Sequence, residues 1–386
     1  MFLQFVSSLP VRPDATSYLW VVLKAISRLR SDLTVAAPQL YFDTFRSIAS
    51  SISRNPVDGA YEYLATRDVS IHEFEAIQKI GLPEGLFDEL LAKHLGPGIA
   101  WRKSIDVATP KVVAFLEEAA IQAEPLEAIL LWTNSASVRE WAKNAGVPTI
   151  HNEVGPLRPP HYRATAYFDF SGVNGRTEAD IRWVKFLAED SSVPVLDRTA
   201  LLKLFSSGEA FSDPSLEHKH PVGVALQVPG DSNLIAFGNG FSNYEAIQTA
   251  LHWFPGQPLV RPHPAQAETV EHLDVTWDRG TSVSDFFNSV DAVLTVNSSV
   301  GFEALLHGKP SYILGESPFS LASWHLPELK PKLKPDMLLR WLNWFLFAYL
   351  IPFEKLFDVD YYRWRLTNPS EAEIYVRNLR TWMEVS

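Results

Sequence analysis

A chain of 386 residues is too long for one small module and fits two domains. Apolar residues make up 46% and charged residues 20%, which is ordinary globular usage, so a large core can form and wholesale disorder is excluded. The formal charge of −11 repels nucleic acid and anionic lipid in bulk, and the absence of cysteine excludes disulfides, thiolate nucleophiles and sulfur-ligated metal sites while permitting a reducing compartment.

Residues 1–11 are apolar but lack a basic n-region, and Pro10, Arg12 and Pro13 interrupt them before a cleavage site, so they do not read as a signal peptide. The first third reads mostly helical. Leu19, Val22, Leu23, Ile26 and Leu29 recur at helical spacing, as do Phe42, Phe45, Ile48 and Ile52. Ser70 and Glu73 form a capping box that opens a helix; Pro83 opens the next, and Gly96-Pro97 ends it. After Pro125 the order changes. An apolar strand at 128–132, a helix at 135–144 stopped by Gly146, and a strand from 148 make a β-α-β unit, whose parallel strands bind ligands beyond their carboxyl ends. His151, Asn152 and Glu153 fall at such an end.

Residues 177–205 read as a helical bridge and the polar stretch 206–220 as a linker or surface loop. A second α/β region follows, with strands at 222–226, 258–261, 274–276, 292–296 and 311–314 and helices between them, one opened by the capping box Ser242 to Glu245. The alternation predicts a doubly wound parallel sheet. The expected architecture is α/β: two Rossmann-like domains facing across a cleft, then an aromatic-rich helical tail from Met337. The apolar run 341–351, closed by Pro352, falls short of the roughly 20 residues needed to span a bilayer. It reads as a buried helix, or alternatively as an interfacial helix docking on a membrane beside Lys332, Lys334 and Arg340.

Three strands of the second region run into polar segments: Gln227 to Asp231, Arg261 to Pro264, and Asn297 to Gly301. All three should line one sheet edge. Ser298, Ser299 and Gly301 between a strand and a helix offer backbone N–H groups and the positive helix end to a phosphate; the plainer reading is a helix N-cap. Arg261 and His263 add cationic donors on a neighbouring strand end. Glu303, one turn into that helix, can accept from ribose hydroxyls or simply favour the helix dipole. Asp231 and Glu153 end strands in different regions and could both face the cleft, the arrangement that glycosyl chemistry uses, although Asp after Pro-Gly is also a common turn residue. No P-loop, no G-x-G-x-x-G after a strand, no H-E-x-x-H and no G-x-S-x-G is present, so no metal and no cofactor is expected.

These segments together resemble the retaining β-Kdo glycosyltransferases of bacterial capsule and O-antigen synthesis, over roughly residues 128–314. The resemblance is carried by Gly146-Val147-Pro148 leading to Glu153-Val154-Gly155-Pro156-Leu157-Arg158, by Gln227-Val228-Pro229-Gly230-Asp231, by Arg261-Pro262-His263-Pro264 and by Asn297-Ser298-Ser299-Val300-Gly301-Phe302-Glu303. The His-Pro and Ser-Ser segments alone are also similar to bacterial sialyltransferases and CDP-glycerol glycerophosphotransferases, which release CMP as well. Val154 and Pro159 stand where capsule members more often carry an acidic residue and a serine, which suggests the O-antigen branch.

The resemblance implies a GT-B-like fold, a CMP-β-Kdo donor and retention by double displacement. Asp231 is then the nucleophile and Glu153 the base for the acceptor hydroxyl. His263, Ser298 and Ser299, with Asn297 and Arg261 in the same segments, hold the CMP phosphate. Gln227 orients Asp231, Glu303 contacts ribose, and Arg158 and Lys309 offset the donor's charge. The division this implies is 1–205, an acceptor-side α/β domain; 206–336, a CMP-sugar-binding Rossmann-like domain; and 337–386, a helical tail packing back on the first. Implied partners are CMP-Kdo, a lipid-linked or soluble glycan acceptor and other polysaccharide-assembly enzymes or domains, with peripheral membrane contact and no nucleic acid. The expected location is the cytoplasm, at the inner face of the bacterial inner membrane. The alternatives are another CMP-releasing transferase or a non-catalytic assembly module.

Overall fold

The computed structural model describes residues 1–7, 9, 18–50, 69–94, 96–189, 192–207, 220–263, 273, 275–280 and 282–384. Two compact units form. Unit 1 comprises Met1–Glu153, Tyr167–Val173 and Phe353–Pro369; unit 2 comprises Val154–Ala166, Asn174–Pro352 and Ser370–Ser386.

Unit 1 runs β1 (Phe2–Phe5), α1 (Leu19–Leu29), β2 (Leu33–Ala37), α2 (Gln39–Ser50), α3 (Ile71–Ala76), β3 (Gln78–Gly81), α4 (Asp88–Lys93), α5 (Pro97–Asp106), α6 (Pro110–Gln122), β4 (Ala128–Leu131), α7 (Ala136–Ala145) and β5 (Thr149–Val154), with β6 (Thr165–Asp169) beside β5. The strands β3-β2-β1-β4-β5 pair in parallel in that order, Phe2 lying opposite both Leu33 and Ala128. The described part of the first third is mostly helical, as the sequence reads, but it also holds three strands that the reading missed, β1, β2 and β3, with β1 central. The physical reason is that strands covered on both faces read as continuous apolar runs without alternation; β1 and β2 are buried at every position.

The capping box of Ser70 and Glu73 forms as read. So does the stop of α7, where Gly146 adopts a left-handed backbone with φ of 68° that L residues rarely take. Gly96-Pro97 acts differently from the reading. Pro97 is the first residue of α5, a position that has no helical partner for an N–H, so the pair opens a helix rather than only ending one.

Unit 2 continues with α8 (Ala179–Ala188), α9 (Arg198–Phe205), β7 (Gly223–Ala225), α10 (Ser232–Phe237), α11 (Asn243–Trp253), β8 (Leu259–Arg261), β9 (Thr276–Trp277), α12 (Val283–Asn288), β10 (Val293–Thr295), α13 (Val300–Leu306), β11 (Ser311–Ile313), the hairpin β12 (Trp324–His325) and β13 (Lys330–Pro331), α14 (Pro335–Trp344), a π-helical turn Phe345–Tyr349 and β14 (Leu350–Pro352). Then α15 (Val359–Leu366) belongs to unit 1 and α16 (Glu371–Glu384) to unit 2. The sheet order is β9-β8-β7-β10-β11, all parallel. Val224, Val260 and Leu294 from its central strands are wholly buried beneath α11. Each unit thus repeats the 3-2-1-4-5 strand order of a Rossmann-like sheet, and the architecture is the α/β, GT-B-like class that the sequence predicts.

The expected domain limits differ from the units. Residues 154–166 and 174–205 cluster with unit 2, and the tail is shared, 353–369 with unit 1 and 370–386 with unit 2. Most of the expected linker, 208–219, lies outside the described residues, as does Asp274 of the strand expected at 274–276.

The apolar run 341–351 is buried throughout. Trp344 donates through Nε1 to Glu371 (3.1 Å), which also receives Arg182 Nε (2.7 Å), so even the polar atom of this tryptophan is committed inside unit 2. The interfacial-helix reading is corrected on this point: the aromatics it needs at the surface are in the core. Among the described residues no helix is long and apolar enough to cross a membrane.

Candidate active site

In a sheet of this order, ligands bind beyond the carboxyl ends of the strands where neighbouring connections run to opposite sides. In unit 2 that switch point lies between β7 and β10. The segments leaving these two strands are Gln227 to Asp231 and Asn297 to Ser299, two of the three that the sequence singles out.

A polar network joins them. Gln227 Nε2 donates to Asn297 Oδ1 (2.9 Å), and Asn297 N donates to Gln227 Oε1 (3.1 Å). Asn297 Nδ2 in turn donates to Asn233 Oδ1 (3.0 Å) and O (3.1 Å), while Asn233 Nδ2 donates to Asn297 O (3.2 Å). Below them Asn243 accepts from Gln227 N (3.0 Å) and donates to Gln227 O (2.7 Å), as a neighbouring strand would. Gln227, Asn243 and Asn297 are all buried, and buried amides with satisfied partners hold one geometry because each alternative leaves a donor unpaired.

Asp231 is the N-cap of α10: its Oδ1 accepts from Asn233 N (2.8 Å). Its second carboxylate oxygen has no partner among the described residues. The expectation that Gln227 orients Asp231 is corrected. The Gln227 side chain is committed to Asn297, and its influence reaches Asp231 only through Asn233.

The Ser-Ser turn also differs in detail from the reading. Ser298 N donates to Thr295 Oγ1 (3.3 Å), Val300 N to Ser298 Oγ (3.3 Å) and Gly301 N to Ser298 O (3.0 Å). Three of the four backbone N–H groups at this turn are therefore engaged. The exception is Ser299, whose N–H and hydroxyl have no partner among the described residues and whose side chain does not cap α13. Gly301 serves packing: a Cβ there would meet Thr295 Cγ2 at 3.1 Å and Ser311 Oγ at 3.2 Å, so glycine lets α13 lie close on β10 and β11.

The cations divide. Arg261, at the end of β8, forms an ion pair with Asp278 and donates to Gly280 O (3.2 Å), so its charge is largely matched within the fold. His263 follows two residues on, half-buried. Arg158 donates through Nε to Gly155 O (2.8 Å) and has no carboxylate within ion-pair distance among the described residues. Lys309 is displaced from its expected role. It follows α13 and precedes β11, at the amino end of the strands, where its ammonium donates to Val290 O (3.0 Å). Of the two cations expected to offset the donor's charge, Arg158 acts on Glu303 and Lys309 lies at the other end of the strands.

Glu303 sits among these groups. Burial pushes its carboxyl up to about 8, against the attraction of Arg158 and Arg261 and a hydrogen bond with Tyr162. Tyr162 Oη also bonds His307 Nε2 (2.9 Å), and burial holds His307 down at about 4. Nothing in the sequence flags Tyr162, which is 145 residues from His307. Asn233 and Asn243 also escape sequence reading, because helix-start asparagines look like ordinary caps.

Glu153 belongs to unit 1, at the carboxyl end of β5 and partly exposed. Its neighbour Asn152 is buried, donating to Tyr167 O (3.0 Å) and accepting from Tyr362 Oη (2.9 Å), which fixes the end of the strand. His151 is also fully buried, and burial holds it at about 4, so it is neutral and structural. Among the described residues no cluster of three or more His, Asp or Glu side chains is placed to hold a metal ion.

Two stretches of the chain match known families, and the matches support a glycosyltransferase. Residues 4–178 match the Glycosyltransferase 99 family N-terminal domain, and residues 259–324 match the family described as capsule polysaccharide biosynthesis protein. The resemblance read from the sequence is borne out at this level. Among solved structures the chain is similar to Thermosulfurimonas dismutans KpsC, beta Kdo 2,7 transferase, with 19% identity, 67% of this chain and 91% of that chain covered, and a TM-score of 0.46. It is also similar to the same organism's KpsC, beta Kdo 2,4 transferase, with 20% identity, 59% and 81% covered, and a TM-score of 0.42. The UDP-GlcNAc 2-epimerase of Methanocaldococcus jannaschii is more distant, at 10% identity, 81% and 83% covered, and a TM-score of 0.26. No curated protein matches the chain.

Proposed function

We propose that this glycosyltransferase moves Kdo from CMP-β-Kdo to a sugar acceptor of a bacterial surface polysaccharide, keeping the β configuration. The observation that carries the reading is the clasp between Asn233 and Asn297, which ties the turn bearing Asp231 to the Ser298-Ser299 turn at the switch point. A carboxylate and a phosphate-binding turn held at one point suit attack on a carbon whose leaving group is a nucleotide phosphate.

In the first displacement the unpartnered oxygen of Asp231 forms a bond to the anomeric carbon, and CMP leaves with the electron pair of the broken C–O bond. Ser299 N–H, the Ser299 hydroxyl, His263 and Arg158 offset the charge on the departing phosphate. In the second, Glu153 takes the proton of the acceptor hydroxyl, whose oxygen displaces Asp231 from the anomeric carbon. Two inversions restore the starting configuration. Glu303 meets the ribose. The proposal requires no metal and places the enzyme in the cytoplasm.

Incubation with CMP-β-Kdo and a Kdo-accepting glycan, with CMP release followed and the product resolved by NMR, tests this reading. A β-linked product is expected. An α-linked product would place the chain among inverting transferases, and no turnover of CMP-β-Kdo under any acceptor would sink the donor assignment.

A further inference from the structure

Glu303, in α13, and His307, the residue that caps its carboxyl end, lie four residues apart, and one phenol touches both. Tyr162 is 2% exposed, its hydroxyl lies 2.9 Å from His307 Nε2, and it shares a hydrogen bond with the Glu303 carboxyl. A single hydroxyl has one proton to donate. It can donate to the carboxylate and accept from the imidazole, or accept from the carboxylic acid and donate to the imidazole, but it cannot donate to both.

We propose that Tyr162 couples the protonation of Glu303 to the tautomer of His307, which makes Tyr162 and His307 positioning residues for the Glu303 carboxyl. With Glu303 ionised, the Tyr162 O–H points to the carboxylate and His307 carries its proton on Nε2, donating to the phenol oxygen. When Glu303 takes a proton from solvent, its O–H donates to Tyr162 and the phenol O–H turns to His307 Nε2. That nitrogen releases its proton to solvent and Nδ1 takes one up. The carboxyl gains one proton and the imidazole gains none net.

The surroundings keep the two events separate from simple titration of the histidine. Arg158 and Arg261 face Glu303, the latter matched by Asp278; Arg198 and Lys309 face His307, with Asp291 beside Lys309 and the Phe287 ring packed at 5.1 Å. These cations and burial hold His307 at about 4 while Glu303 stands at about 8, so the imidazole stays neutral where the carboxyl changes state. Arg198 also donates to the carbonyls of Leu305 and Leu306, which fixes the end of α13 that carries His307. The consequence for function rests on the donor reading above: a ribose hydroxyl would meet a hydrogen-bond donor in one state and an acceptor in the other. The coupling itself needs no ligand.

The test is NMR of the full chain, with the glutamate carboxyl carbons and the histidine ring nitrogens isotope-labelled, titrated from about pH 6 to about pH 10 across the Glu303 transition. In the unaltered protein the His307 ring nitrogens should exchange tautomer with the same midpoint as the Glu303 carboxyl. Tyr162→Phe, which keeps the ring, should break that correspondence and move the Glu303 midpoint upward by roughly half a pH unit or more, since it removes a bond that favours the carboxylate. Glu303→Gln should leave His307 in one tautomer throughout. A His307 signal that is unchanged through the Glu303 transition, or that still changes in Glu303→Gln, overturns the proposal. Calorimetric titration with CMP separates the two readings: absence of CMP binding removes the donor assignment while the coupled midpoints stand.

Discussion

Gln227 and Asn297 hold each other by two hydrogen bonds, of 2.9 and 3.1 Å, across the point where the connections from β7 and β10 diverge. One side chain reaches from the strand that leads to the candidate nucleophile, the other begins the Ser-Ser turn. Asn297→Ala would leave the buried Gln227 Nε2 without its acceptor and remove two of the three bonds to Asn233, so a loss of about 1 to 3 kcal/mol in stability is expected by chemical denaturation. Asn297→Asp replaces a donor with a buried charge and should cost at least as much. If Asn297→Ala unfolds at the same denaturant concentration as the unaltered protein, the network does not hold the switch point.

Asp231 has two separable tasks, one structural and one chemical. Asp231→Asn keeps an oxygen for the cap on α10 but cannot attack, so transfer should fall by several orders of magnitude at nearly unchanged melting temperature. Asp231→Ala should lose transfer and about 1 kcal/mol of stability as well. CMP binding, measured by calorimetry, should survive both. Undiminished transfer by Asp231→Asn would remove the nucleophile assignment.

Glu153→Gln should stop the second displacement after the first. Intact mass spectrometry after exposure to CMP-β-Kdo is then expected to show the chain carrying one Kdo, released on adding back a strong nucleophile such as azide. Hydrolysis at the rate of the unaltered enzyme, with no adduct, would place the base elsewhere.

Trp344 tests the burial of the apolar run. Trp344→Ala removes a fully buried indole and the N–H that Glu371 accepts, and should cost about 3 to 5 kcal/mol. Binding to anionic vesicles, measured by co-sedimentation of folded protein, should not change, because these aromatics are not at the surface.

The pH dependence of stability has one clear contributor in unit 1. Arg363, foremost among the partners of Glu127, holds that carboxyl down at about 2 from an ordinary value of 4.5. The folded form therefore prefers the carboxylate more than the unfolded chain does. The stability this provides is complete above about pH 4.5 and is lost as the pH falls towards about 2. Both side chains are partly exposed, at 30% and 42%, so the contribution is on the order of 1 kcal/mol after solvent screening. Glu127→Gln should lower the melting temperature at pH 7 and leave it unchanged near pH 2.

The sequence by itself determined the elements with strong local signals. The capping boxes at Ser70 and Ser242, the Gly146 stop, the β4-α7-β5 unit and the five strands of unit 2 are all legible, because capping, left-handed glycine and short apolar runs between turns are local physics. It also placed Asp231, Arg261 and Ser298 at strand ends of one sheet, since parallel strands alternating with helices leave no other common edge. The strands β1 and β2 were hidden by their burial on both faces, which erases alternation, and β3 by its shortness, four residues of which only Ile80 is buried. Only the tertiary structure decided that Gln227 serves Asn297 rather than Asp231, that Arg261 is matched by Asp278 and Lys309 lies at the far end of α13, and that Tyr162 joins Glu303 to His307. Each of these is a pairing across 17 to 145 residues or the position of a side chain at one pole of a helix. Such facts depend on strand order and helix direction, which the chain acquires only when the sheet of unit 2 has closed into its 3-2-1-4-5 arrangement.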